Sequence, residues 1–196
     1  MLLYRTMHSW HWISAAICLA ALLLFCITGI TLNHAGSIGA QPAVTKAAAS
    51  LPGNLRPLLD GDHTAGTLPD PLADWIDDQF DIDTRGASIE WSPEELYVSA
   101  PGPGRDAWVT FDRATYAATS EVTDRGWLAY FNDLHKARNT GLVWKVFVDV
   151  VAAACVFFAL TGLVLLWIQA RQRTSTWPLV SFGVAAVVAL MILFAH

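Results

Sequence analysis

Three long apolar stretches limit what this chain can fold into. Trp12 to Leu32 has no charge, Val146 to Ile168 has one (Asp149, near its start), and Trp177 to Ala195 again has none. As a helix, each is long enough to cross about 30 Å of hydrocarbon at about 1.5 Å per residue. All 17 acidic residues lie between Asp60 and Asp149, so apolar and polar material are separated along the chain. The charged fraction is 15%, against roughly 25% in a soluble domain, which argues against a soluble enzyme. Nucleic acid is excluded as a partner, because the net charge is −5 and the basic residues are scattered singly instead of clustered to meet phosphates. A signal peptide is the competing reading of the first stretch, but the apolar run is longer than an h-region and no small-x-small cleavage site follows it directly.

The expected fold is therefore membrane α-helical, with three transmembrane helices and a small external α+β domain of one helix plus antiparallel strands. Residues 1–34 form the cytoplasmic start and first span, 35–140 the external domain with a linker and a pre-membrane helix, 141–170 the second span, 171–176 a cytoplasmic link and 177–196 the third span. Arg5, Arg171 and Arg173 place those ends in the cytoplasm. Residues from about 35 to 140 then face the periplasm of a bacterial inner membrane, although Lys136, Arg138 and Lys145 pull weakly the other way. Cys18, Cys26 and Cys155 all fall inside apolar stretches and read as small buried hydrophobes.

Within the external segment, residues 35 to 67 read as a linker with one short helix. Leu72, Trp75, Ile76 and Phe80 recur at helical spacing, predicting an amphipathic helix from about 70 to 80. Strand-like runs follow at Ala87 to Trp91, Glu95 to Ser99, Ala107 to Phe111 and Tyr116 to Val122. Asp74, Asp77, Asp78, Asp81 and Asp83 match no calcium loop and read as a solvated face. His63, in the linker, reads as a surface residue. No nucleophile is paired with a base.

The other histidines frame the spans. His8 and His11 open the first in MHSWHW, His34 closes it in TGITLNH, and His135 precedes the second in NDLHKARNTG. A helical hairpin would bring His34 and His135 together on the external side, where two imidazoles can ligate one haem iron from opposite faces. His8 and His11 are three residues apart on one helix and cannot clamp the same haem. An inner haem would need a ligand from a second copy, a non-histidine ligand or an open position. His11 and His34 lie 23 residues apart, about 35 Å along an unbroken helix. His196 is a further, terminal candidate for the external site.

A repeat organises the spans: Phe25 to Leu32 reads FCITGITL and Phe158 to Leu165 reads FALTGLVL, inverted across the membrane because the two helices run in opposite directions. Each copy follows a histidine upstream, His8 and His135 respectively. Gly29 and Gly162 would let a helix or a porphyrin approach closely, and Thr28 and Thr161 can bond back to the backbone. Trp10, Trp12, Trp144 and Trp167 lie at span ends and read as interface anchors.

MHSWHWI, TGITLNH, NDLHKARNTGLVWKVFVDV and LTGLVLLW, followed through an external helix and strands ending in VTFDRATYAATSEV, resemble the PepSY-associated transmembrane protein family in its short three-helix form. The resemblance covers most of residues 5 to 168. It implies a bacterial inner-membrane protein that binds haem b (one or two) and passes electrons from quinol or another donor to a ferric siderophore, or similar ferric chelate, in the periplasm. A periplasmic carrier would be a further partner besides the lipid bilayer. His34 and His135 would be the external axial ligands, with His8 and His11 as candidates for a second haem. Longer relatives have an extra helix and further histidines, so a homodimer would be one way to complete an inner site here. The rival reading is a non-catalytic, membrane-anchored PepSY-like module that binds a protein. A metallochaperone built on His8 and His11 has weaker support, since the pair lacks thiolates or carboxylates.

Overall fold

The computed structural model describes residues 2–38, 41–61 and 66–194; His63 and His196 lie outside them. Among the described residues three helices are long and apolar enough to cross a membrane: α1 (Leu2–Asn33), α5 (Leu142–Gln169) and α6 (Thr176–Phe194). Between α1 and α5 the chain forms β1 (Ala43–Ser50), α2 (Pro57–Asp60), α3 (Asp70–Phe80), β2 (Ser88–Trp91), β3 (Glu95–Ser99), β4 (Arg105–Asp112), β5 (Ala117–Asp124) and α4 (Gly126–His135). The chain divides into two compact units, one of Met1–Leu24 with Val146–His196 and one of Phe25–Lys145.

In the first unit the helices expose Leu, Ile, Val and Phe side chains around most of their circumference, as lipid-facing helices do. Burial is confined to a narrow stripe of small and polar residues, with Ser14, Cys18 and Thr161 all under a tenth exposed. Cys18 is buried and Cys155 half-buried. Cys26, in the other unit, is exposed, not buried, because it falls on the outward side of α1.

The second unit holds an antiparallel five-stranded sheet in the order β1-β5-β4-β3-β2. Alternation puts Leu96 and Val98 of β3, and Ala107, Val109 and Phe111 of β4, on the buried face. Leu72, Ile76 and Phe80 of α3, four residues apart, cover that face together with Leu51, Leu59 and Ile82. The α3 helix stops at Asp81, whose left-handed φ of 54° sends its N–H back to the Asp77 carbonyl.

The sheet has one strand more than the sequence suggests, because β1 lies inside the stretch read as linker. Its sequence AVTKAAAS is largely exposed and poor in the β-branched and aromatic residues that mark strands. It is held as an edge by backbone pairing to β5, and Lys46 lies opposite Glu121 with the two charges 2.9 Å apart. A lysine on an outer strand also discourages pairing with another chain.

Two acids stabilise turns in this domain. Asp112 accepts the backbone N–H of Thr115 (2.7 Å) and Ala114 (3.0 Å) at the β4–β5 corner. The Thr115 bond above all holds its carboxyl below the usual carboxylate range. The Arg85 side chain holds Asp83 down to about 2. Both folded-state values lie below the unfolded ones, so this stabilisation is complete above about 4 and is lost as pH falls through the folded values. In acid titrations of stability, wild type is expected to exceed Asp83→Asn slightly above pH 4, since exposure screens the pair, and the two are expected to converge near pH 2.

Candidate histidine sites

Each unit places one histidine against one copy of the Phe-x-x-Thr-Gly repeat. In the first unit His11 of α1 meets the copy on α5. Its Nδ1 lies 3.1 Å from Thr161 Oγ1 and 3.2 Å from the Phe158 carbonyl oxygen. The Thr161 hydroxyl itself donates to that carbonyl at 2.9 Å, one turn back along the helix. Its single proton is thus committed, and the carbonyl can only accept, so Nδ1 of His11 is the protonated nitrogen. The neutral ring then keeps its lone pair on Nε2. The Phe158 ring stacks on the imidazole, with centroids 4.5 Å apart and planes 14° from parallel.

In the second unit His135, the last residue of α4, meets the copy on α1. Its Nδ1 lies 2.7 Å from Thr28 Oγ1, and Thr28 donates to the Phe25 carbonyl at 3.3 Å. The threonine hydroxyl again fixes the ring through Nδ1, one proton being shared along the line from imidazole to hydroxyl to phenylalanine carbonyl. Phe25 packs edge-on to this ring, with centroids 5.3 Å apart.

The repeat glycines make room for the rings. A Cβ built on Gly162 would come within 3.1 Å of His11 Cε1, and one on Gly29 within 3.5 Å of His135 Cε1. The first distance is tighter than ordinary contact and the second is ordinary. Gly162→Ala is therefore expected to displace the His11 ring and Gly29→Ala to leave His135 in place. Histidine NMR shifts of the two variants would check this.

The histidine–threonine pairing crosses between helices and does not follow the upstream order. His11, near the start of α1, takes the motif near the end of α5, and His135 takes the motif near the end of α1. His8 is exposed and rests against Tyr4 of its own helix, with ring centroids 6.0 Å apart. His34 lies exposed in the turn that ends α1, its carbonyl accepting the N–H of Ser37 and Ile38.

His11 also lines an open groove of about 660 Å³ whose other walls are mostly apolar, including Leu163, Leu166 and Val180. Among the described residues there is no group of three or more His, Cys, Asp or Glu able to hold a bare metal ion. The site therefore offers a single imidazole beside an apolar slot and no cage of ligands.

Residues that the sequence reading passed over hold His135 in position. Thr31 Oγ1 donates to Asn132 Oδ1 at 2.9 Å, and Trp144 Nε1 donates to the Leu134 carbonyl at 2.9 Å, so this indole does more than anchor an interface. Asp133 has a side chain only 5% exposed and gathers three donors: the Gly104 N–H at 2.8 Å, Arg125 Nη2 at 3.0 Å and Arg138 Nε at 2.8 Å. At Gly104 φ is +66°, and a Cβ there would stand 2.6 Å from the Tyr130 nitrogen, so only glycine lets α4 approach so closely.

A family model described as PepSY_TM-like matches residues 2–196 of the chain. No curated protein and no solved structure matches it.

Proposed function

The chain belongs to the PepSY_TM-like family, and from that premise we propose that it is a b-type haem protein of the bacterial inner membrane, reducing a ferric siderophore or similar ferric chelate in the periplasm. One observation carries the reading: two imidazoles are each fixed through Nδ1 by the threonine of the same Phe-x-x-Thr-Gly turn, which leaves Nε2 outside that bond. Iron-ligating histidines take this form, the second nitrogen donating to a carbonyl or hydroxyl that sets the tautomer and orients the ring. The groove beside His11 suits an apolar macrocycle better than a hydrated ion. When bound, haem would supply a one-electron couple at a metal shielded from water.

In this reading His135 and His34 would hold the haem on the external side, and His11 would hold the inner one. Thr28 and Thr161 orient the rings and strengthen them as donors, while Phe25 and Phe158 pack against them. A quinol or other donor would supply the electron, and the α+β domain would meet the chelate or its carrier. An absorption spectrum of the full chain, purified after expression with ample haem, tests the reading. Split cytochrome bands on dithionite reduction are expected. A colourless protein would leave only a membrane-anchored binding module.

A further inference from the structure

We propose that α4 is an interfacial helix whose aromatic face is buried in the lipid headgroup layer of the leaflet on the side of the α+β domain. The proposal does not depend on haem binding. It starts from one face of α4: Trp127, Tyr130 and Phe131, at helical spacing, are 73%, 44% and 37% exposed. They form one continuous aromatic surface, with Trp127 and Phe131 centroids 6.3 Å apart and Tyr130 and Phe131 centroids 5.6 Å apart. On the opposite face Asn132 and Asp133 are buried and hydrogen-bonded inward. The helix therefore cannot turn its aromatics into the domain without breaking the Asp133 contacts.

What covers this face follows from where α4 is tied. Its end packs against the last turns of α1 through the Thr28–His135 and Thr31–Asn132 hydrogen bonds. The Trp144 indole at the start of α5 donates to the Leu134 carbonyl. Both helices are membrane-spanning by length and composition, so α4 is fastened to the end of one span and the beginning of another. That places it at the depth where hydrocarbon gives way to headgroups. Tryptophan and tyrosine concentrate at this depth because each has an apolar ring and a polar group that stays hydrated. Lys136 and Lys145, both exposed, stand on either side of the α4–α5 link and suit the phosphates of anionic lipids. Depth would then be a property of the His135 site, set by aromatic anchoring on one side and by Asp133 on the other.

The test reconstitutes the full chain, as wild type and as Trp127→Phe, into vesicles of phosphatidylcholine with a minor share of phosphatidylglycerol. The lipids are brominated either near the carbonyl end or near the methyl end of the acyl chain. Subtracting the variant's emission isolates Trp127 from the other tryptophans, and its high exposure makes this substitution safe for folding. The expected difference spectrum is blue-shifted, quenched severalfold more by the shallow bromines than by the deep ones, and resistant to acrylamide. Red-shifted emission quenched by acrylamide alone would mean a water-facing helix and overturn the proposal. Blue-shifted emission untouched by either bromine would mean cover by protein, a second copy included, and would overturn it equally.

Discussion

His11→Ala and His135→Ala are each expected to lose one haem while the other stays, whereas His8→Ala keeps the full complement. The structure distinguishes these residues even though the sequence presents them as a set. His11 and His135 are held by threonine hydroxyls at 3.1 and 2.7 Å, so their rings have less side-chain freedom left to lose on binding. His8 is exposed on its own helix beside Tyr4. A pyridine haemochrome assay per polypeptide checks the three variants, and added imidazole should restore colour to the alanine variants if the cavity, not the fold, was altered. Thr161→Val and Thr28→Val should keep haem but lower its affinity by about tenfold or more, the usual cost of removing a ligand's hydrogen-bond partner. Loss of haem in His8→Ala but not in His11→Ala would reverse the assignment of the inner ligand.

Asp133→Ala is expected to be the most damaging single substitution in the α+β domain. It removes a nearly buried carboxylate, leaving Arg138 and the Gly104 N–H without their acceptor and Arg125 with Asp106 alone. Breaking a buried pair from one side costs roughly 3–5 kcal/mol; here the value should fall near the lower end, since Arg138 is about half exposed and can regain water. Arg138→Ala, by contrast, leaves Arg125 in place and should cost about 1 kcal/mol or less. Urea unfolding of the full chain, followed through the sheet, would measure both. Asp133 precedes His135 by two residues, so Asp133→Ala should also weaken the haem site proposed at His135 and spare the one proposed at His11. A loss below about 1 kcal/mol would mean that α4 is held by its packing and not by this carboxylate.

The spans and the α3–sheet core could be read from the sequence because their determinants are local. Uncharged apolar runs announce α1, α5 and α6, and Leu72, Ile76 and Phe80 recur at helical spacing. The β1 strand was hidden because its order comes from a partner some seventy residues later, while its own alanines carry no strand signal. The repeat and its glycines were visible, and so were the histidines, but the partner of each imidazole depends on which helix ends lie side by side. Antiparallel neighbours bring the start of one span to the end of the next, so a histidine near a span's beginning meets the motif of the other span. Asp133 resembled any acid on a helix surface; only its convergence with Gly104, Arg125 and Arg138 marks it, and the nearest of these apart from Arg138 lies eight residues away.

In the proposed reading His11 and His135 are the imidazoles without which no haem binds, His34 serving only as the counterpart of His135. Haem content of the purified His11→Ala/His135→Ala double variant, alongside its circular dichroism, tests it most directly. A colourless protein with wild-type secondary structure is expected. Bound haem retained at wild-type stoichiometry in that variant would contradict the reading.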